Sequence, residues 1–266
     1  MIAIVTGATS GLGRETAIQL WENFAELKEL WVIGRRNERL EELKSLIGIP
    51  VRTLALDLTN EEGLKTLVSL LEQEKPSVKI LVNAAGFGKI GSVTHLPLEE
   101  QCRMVQLNCT ALTAVTGAVL PYMARRGRIL QYASSAAFLP QPGFAVYAAS
   151  KAFVLSYSRA LNRELKERQI AVTAVCPGPV KTEFFQIAQT TGRIPVYKYL
   201  FMAKPGPVVK KAIRDCVMRK EISIYGCSMK AFFALTRLLP HSLLLDIMEK
   251  TGKEVNKDAA SEGSVQ

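Results

Sequence analysis

The 266-residue chain offers little that would tie it to a disulfide framework, a metal or a bilayer. Its five cysteines, Cys102, Cys109, Cys176, Cys216 and Cys227, form no C-x-x-C pair. An odd count at wide spacing implies free thiols in a reducing compartment. Cys102 and Cys109 stand two helical turns apart, roughly 10 Å by helical rise and too far for a disulfide. Buried structural thiols are therefore expected at all five positions. Zinc-finger spacing is absent too, so no metal is expected. The apolar start, Met1 to Val5, lacks a basic flank and runs straight into Thr6-Gly7, so no secretory signal is expected. No uninterrupted apolar run reaches the roughly 20 residues of a membrane span. The stretch from Ala231 to Met248 is broken by Arg237, Pro240, His241 and Asp246. These absences predict a cytoplasmic protein. No shift of composition divides the chain before its polar end. One domain over 1–251 is expected, with 252–266 as a frayed terminus.

Apolar residues are plentiful, at 48%, enough for a large core. Positive charge is plentiful as well: the net charge is +10. Between Arg193 and Lys220 eight basic residues face a single acid, Asp215. Three readings stand for that stretch: a solvated helix face, a handle for an anionic substrate, or a membrane surface. It lacks interleaved aromatics, so nucleic acid is not expected as a partner.

Short β-branched runs alternate with longer amphipathic stretches. Strands are predicted at Ile2–Thr6, Leu30–Ile33, Val51–Ala55, Ile80–Asn83, Gly127–Tyr132, Ala171–Cys176 and Ile222–Tyr225. Helices are predicted at Leu12–Glu22, Asn37–Leu46, Glu61–Glu72, Leu98–Val119, Tyr147–Arg168 and Pro207–Met218. Strands that alternate with helices and read as continuous apolar runs predict an α/β fold, a doubly wound parallel sheet of about seven strands. Its ligand should lie beyond the carboxyl ends of the strands. The segment from Pro177 to Pro205 has four prolines and no clear period, as a substrate lid often does. Two short apolar helices, within 227–250, follow the last strand.

The loop from Thr6 to Gly13 joins the first strand to the first helix. Gly7, Gly11 and Gly13 allow a tight turn, and Thr9, Ser10 and Leu12 lie between them at the helix N-terminus. Such a terminus presents unpaired N–H groups and a positive dipole to a dinucleotide pyrophosphate. An acid at the end of the second strand would bind a ribose 2′-hydroxyl. Arg35 and Arg36 stand there instead and suit the 2′-phosphate of NADP(H); Ser10 and Arg14 are placed to help. Asp57 and Leu58 follow the third strand, where they would bracket the adenine. Asn83, Ala84, Ala85 and Gly86 end the fourth strand with small residues, where a ribose could lie against backbone.

Tyr147 and Lys151 are one turn apart and share a helical face. A tyrosine titrates near 10, too high for acid/base work at neutral pH. A neighbouring ammonium should lower that value, and Lys151 could also hold the cofactor ribose, so both residues border the cofactor. Ser134 lies just past the fifth strand, where its hydroxyl can bond a substrate oxygen; Ser135 is its rival. Asn108 sits inside a predicted helix despite poor propensity, as a buried structural amide or as the holder of a relay water.

Taken together, these motifs resemble the short-chain dehydrogenase/reductase superfamily, in its subtype with the TGxxxGxG and YxxxK patterns. The match runs from Ile2 to Tyr225 and includes Pro177-Gly178 through Thr182. Ala84 replaces a common second asparagine, an accepted variant. The resemblance implies a Rossmann-type fold and a tetrad of Asn108, Ser134, Tyr147 and Lys151. Tyr147 would be the acid/base, Ser134 would polarise the carbonyl, Lys151 would tune Tyr147, and Asn108 would position a water. It further implies that Pro177, Gly178, Val180 and Thr182 orient the nicotinamide, that 183–204 covers a small-molecule carbonyl or alcohol substrate, and that the helices bearing Asn108 and Tyr147 build a homodimer. The ending resembles hydroxysteroid dehydrogenases and long-chain 3-ketoacyl reductases. It favours a lipophilic substrate and allows weak contact with a membrane surface. Two alternatives stand beside this reading: a 3-oxoacyl-thioester reductase, and a catalytically silent NADP-binding regulator.

Overall fold

A computed structural model describes residues 1–188 and 202–247. Seven strands pair into one sheet: β1 (Ile2–Thr6), β2 (Glu29–Gly34), β3 (Val51–Ala55), β4 (Val78–Asn83), β5 (Met123–Tyr132), β6 (Ala171–Val175) and β7 (Ile222–Ser223). Their order is β3-β2-β1-β4-β5-β6-β7, and every pairing is parallel. The strands read as continuous apolar runs because both faces of the sheet are covered. On one face Val5, Val32 and Val82 pack with residues of α1 (Gly11–Asn23), α2 (Asn37–Ser45) and the helix Pro205–Val217. On the other, Ile4, Ile33 and Leu81 pack with α3 (Glu61–Glu74) and with later helices through Leu67, Leu71, Val115 and Leu161. The chain winds outward from β1 to β3, then returns to β1 with β4. That reversal opens a crevice at the carboxyl ends of β1 and β4, where Thr6 is level with Asn83.

The helix predicted over 98–119 is continuous but not uniform. It comprises α4 (Leu98–Val105), a π-helical turn at Gln106–Ala111 and α5 (Leu112–Val119). The π turn carries Asn108, and such turns are frequent at functional sites. The stretch Leu98–Tyr122 is long and apolar enough to cross a bilayer by length and composition alone. Here it packs on α3, on β4 and on α6 (Ala145–Glu164), and it buries the polar Asn108 and Thr116.

Several boundaries differ from the sequence reading. β5 begins at Met123 instead of Gly127, through a register shift and a left-handed Arg126. The segment read as irregular holds a short helix, α7 (Glu183–Ala188), while most of the expected lid, 189–201, lies outside the described residues. Next come α8 (Pro205–Val217), α9 (Cys227–Leu238) and, after Pro240, a helical stretch at 241–247. The expected tail 252–266 also lies outside the described residues.

One expectation, that all five thiols are buried, needs correction, and one of the three readings of the basic stretch holds only in part. Cys109, Cys176 and Cys216 are buried, but Cys102 and Cys227 are exposed, on α4 and at the first position of α9. The basic stretch is not all solvated. Lys211, Lys220 and Ser223 converge on the buried carboxylate of Asp215, with Lys220 Nζ at 3.0 Å and Ser223 Oγ at 2.8 Å. Burial alone would raise the Asp215 carboxyl; these bonds outweigh it and hold it below the usual value.

Candidate active site

At the crevice, the turn from β1 into α1 is pressed against the end of β4. Gly7 has φ +66°, and a Cβ there would stand 2.6 Å from Ala85 N and 2.7 Å from the Ala84 carbonyl carbon. At Gly13 a Cβ would strike the Gly7 carbonyl oxygen at 2.3 Å. Thr6 Oγ1 accepts from the N–H groups of both Ala84 and Ala85 at 3.2 Å. These contacts bring bare backbone to the rim. Ser10 is extended, makes no side-chain cap bond to α1, and no acid occupies the first turn of that helix. A glycine cradle at an uncapped, unneutralised helix start fits the pyrophosphate of a dinucleotide. Leu12 packs against the core beneath it, and Gly11 faces Thr182.

The arginines after β2 are engaged with acids. Arg35 stands 3.9 Å from Asp57, whose Oδ1 also accepts from Thr59 N and Oγ1. Arg36 donates to Thr9 Oγ1 at 3.2 Å and to Glu183 at 2.9 Å, while Arg14 pairs with Glu42. Leu58 is buried in the core, so its side chain faces away from the cleft. Asn83 is buried as well, donating to Thr116 Oγ1 at 3.0 Å.

Gly86 is where the two ends of the site meet. A Cβ on it would lie 2.9 Å from Asn108 Oδ1 and 3.2 Å from Lys151 Nζ. Asn108 is fully buried. Its Oδ1 accepts from Phe87 N, and its Nδ2 donates to Phe87 O and to Ser150 Oγ. Ser150 in turn donates to the Tyr147 carbonyl at 2.7 Å. Lys151 Nζ donates to the Tyr132 carbonyl at 2.8 Å and lies 5.7 Å from the centre of the Tyr147 ring. Ser134 Oγ accepts from Ala136 N at 3.1 Å, and the same hydroxyl acts on the phenol of Tyr147. The four residues of the expected tetrad thus stand together, on the π turn, after β5 and on the first turns of α6. Ser135 is used differently, its N–H donating to Pro177 O.

The expected lowering of the Tyr147 phenol is not what this environment does. Burial pushes it up to about 12, and the polar Ser134 hydroxyl only partly pulls it back down. Lys151 lies beside the ring and is itself pushed down by burial, to about 8. Desolvation penalises both charged forms more than one neighbour can offset.

Beyond β6, Gly178 packs under Met229 of α9, Val180 bridges to Ala203, and Thr182 Oγ1 donates to Val180 O. Around Tyr147 the wall is aromatic: Phe144 stacks on it at 4.3 Å between centroids, and Phe184 of α7 is tilted at 5.3 Å. Phe232 and Phe233 of α9 pack on Phe138. Sequence reasoning missed Ser150, Phe144, Phe184, Met229 and Glu183. Ser150 and Phe144 flank a recognised motif, while Phe184 and Glu183 fall in a stretch with no period to read.

A family model described as short chain dehydrogenase matches residues 1–191. The chain belongs to the short-chain dehydrogenase family. It is 36% identical over 187 residues to a serine 3-dehydrogenase of Rhizobium radiobacter, covering 68% of this chain and 72% of that protein. It is 36% identical over 191 residues to an NADP-dependent 3-hydroxy acid dehydrogenase of Salmonella typhi, covering 70% and 76%. A short-chain dehydrogenase from Sphingobium yanoikuyae, solved in complex with NADPH, superposes with TM-score 0.74 at 27% identity over 97% of this chain and 95% of that one. The protein is therefore an oxidoreductase of the alcohol–carbonyl type, on a fold that binds a nicotinamide cofactor.

Proposed function

We propose that the protein uses NADP(H) to interconvert a hydrophobic ketone or aldehyde and its alcohol, with Tyr147 as the acid/base. The observation that carries this reading is the convergence of Ser134, Tyr147, Lys151 and Asn108 beside Gly86. The nicotinamide, when bound, supplies or accepts the hydride. In reduction, the Ser134 hydroxyl donates to the carbonyl oxygen of the substrate. Tyr147, protonated at neutral pH, gives its phenolic proton to that oxygen as it gains charge. The Lys151 ammonium then stabilises the phenolate left behind. Both polar atoms of the Asn108 side chain are taken up by Phe87 and Ser150, so it serves the site by fixing the Gly86–Phe87 backbone and the Tyr147 turn.

The choice of NADP(H) rests on Arg35 and Arg36 where an acid would favour NAD, and is supported by the NADPH complex and the NADP-dependent relative named above. The aromatic wall of Phe144 and Phe184 favours an apolar substrate. The names of the relatives favour a second reading, a small 3-hydroxy acid. A thioester substrate gains less support, since Lys211 and Lys220 are tied to Asp215. A silent regulator would leave the Ser134–Tyr147 pair without a task.

An NADPH-oxidation screen over steroid ketones, 3-oxoacyl thioesters, 3-oxo acids and small aldehydes separates these readings. Turnover of none of them would sink the enzymatic reading. Exposed Val105 and Phe153, on α4 and α6, support a homodimer, which light scattering tests. Exposed Leu235, Leu238, Leu243 and Ile247 are the groups that would make a peripheral membrane contact, which co-sedimentation with anionic vesicles tests.

A further inference from the structure

One carboxylate in the cofactor cleft has no part in the chemistry above. Glu183 is the first residue of α7 and follows Thr182 directly. Its Oε2 accepts from Arg36 Nη2 at 2.9 Å, and its Oε1 lies 4.0 Å from Arg39 Nη2. The same Arg36 nitrogen donates to Thr9 Oγ1 at 3.2 Å. Thr9 belongs to the glycine loop, Arg36 follows β2, and Glu183 comes from beyond β6. The three side chains therefore form a strap across the crevice, over the start of α1. Beneath it the lips stand close, with room for little more than one methyl group, since a Cβ on Gly11 would meet Thr182 at 3.4 Å.

The strap is weakly held. The side chains of Arg36 and Glu183 are 46% and 34% exposed, so water and salt compete for the pair. A 2′-phosphate carries more charge than a carboxylate and offers three acceptor oxygens to a guanidinium. Arg36 Nη2, committed to Glu183, must turn away from it to face such a group.

Building on the reading of Arg36 as a 2′-phosphate ligand, we propose that Glu183 is a specificity-determining residue of the cofactor site. Its carboxylate stands in for the 2′-phosphate on Arg36, and the phosphate of NADP(H) displaces it. NADP(H) alone works against the carboxylate, because NAD(H) has no group that needs Arg36. Displacement also unties α7 from the β2 side of the cleft. α7 carries Phe184 against Tyr147 and meets the Phe87–Ile90 loop through Ala188 O and Ile90 N, so the adenosine end is linked to the substrate wall.

The test is a fluorescence titration of NADPH and NADH, and of the fragment adenosine 2′,5′-bisphosphate against AMP. The proteins are wild type, Glu183→Gln, Arg36→Ala and the double variant, each checked for an unchanged thermal melt. Glu183→Gln is nearly isosteric and half-exposed, so it should fold. It should tighten NADPH and the bisphosphate about two- to fivefold, the worth of one half-exposed ion pair. NADH and AMP should stay unchanged, and the gain should vanish in the Arg36→Ala background and at high salt. Equal weakening of NADPH and NADH by Glu183→Gln would overturn the proposal, since Glu183 would then hold either dinucleotide in place. No change for NADPH would overturn it as well. If Arg36→Ala lowers NADPH affinity selectively while Glu183→Gln does nothing, only the role of Glu183 falls. If Arg36→Ala has no selective effect, the reading of Arg36 falls and takes this one with it.

Discussion

Asn108 grips the backbone of Phe87 on both sides of its Cα, accepting from its N–H at 3.0 Å and donating to its carbonyl at 2.9 Å. Replacing Asn108 by alanine strips both groups of a partner inside the fold. Each unsatisfied group costs about 1–3 kcal/mol, so a stability loss of about 2–6 kcal/mol is expected in urea unfolding. Turnover should fall with it, because Gly86 and the Tyr147 turn lean on the same amide. A variant as stable as wild type would mean that the Phe87 loop relaxes freely.

Tyr147→Phe removes the phenolic proton and keeps the ring on Phe144 and Phe184. The rate on a verified substrate should drop on the order of a hundredfold or more, with NADPH affinity nearly unchanged. Near-normal turnover would falsify the acid/base role.

The pH profile of ketone reduction should carry a limb that belongs to Lys151. Burial has lowered this amine to about 8, so its ammonium is present below that pH and lost above it. The ammonium is what stabilises the phenolate formed in reduction. Reductive kcat/KM should therefore be level below pH about 8 and fall above it. Tyr147, at about 12, stays protonated throughout that range and cannot make the limb. Arginine keeps its charge to far higher pH. The residual activity of Lys151→Arg should accordingly show no fall near pH 8, and a limb that persists in it assigns the titration elsewhere.

Replacing Arg35 and Arg36 together by alanine should weaken NADPH far more than NADH. Each charge-assisted bond to a 2′-phosphate is worth about 1.5–3 kcal/mol. Equal losses for both cofactors, measured by titration, would place these arginines outside the phosphate site. A native preference for NADH would end the NADP(H) assignment.

Thiol chemistry should divide the cysteines by position. Cys102 and Cys227 are exposed; Cys109, Cys176 and Cys216 are buried. Burial also raises the buried thiols, Cys176 and Cys216 to about 12. Since the thiolate is the reactive form, brief alkylation of the native protein should mark Cys102 and Cys227 alone, and unfolding should release the rest. Mass spectrometry of the peptides gives the answer. Rapid labelling of Cys176 in the folded protein would contradict its burial in the cluster with Phe138 and Val154.

What could be read from the sequence was what local pattern encodes. The parallel sheet was legible because its strands are apolar on both faces, and the glycine loop and the Tyr147–Lys151 turn because their spacing is their geometry. The π turn at Asn108 was not legible: the poor helix propensity of Asn108 marked an oddity there, but the wider turn itself leaves no mark in composition. Nor was the titration of Tyr147, where local spacing pointed to Lys151 but burial by α7 and the Phe144 turn decides. Glu183 is the same case at longer range. Nothing near it in sequence names Arg36, which lies 147 residues away.

The parallel sheet also governs when the chain can fold. With every described strand pair parallel, no hairpin exists to form early; each pairing waits for a crossover. β1 sits between β2 and β4, and Ile2 is level with Val78. A nascent chain that has emerged only as far as α3 therefore holds β1 with one ladder of N–H and C=O groups open. Until β4 arrives, that ladder is an open strand edge on the growing protein, of the kind that templates pairing with another chain.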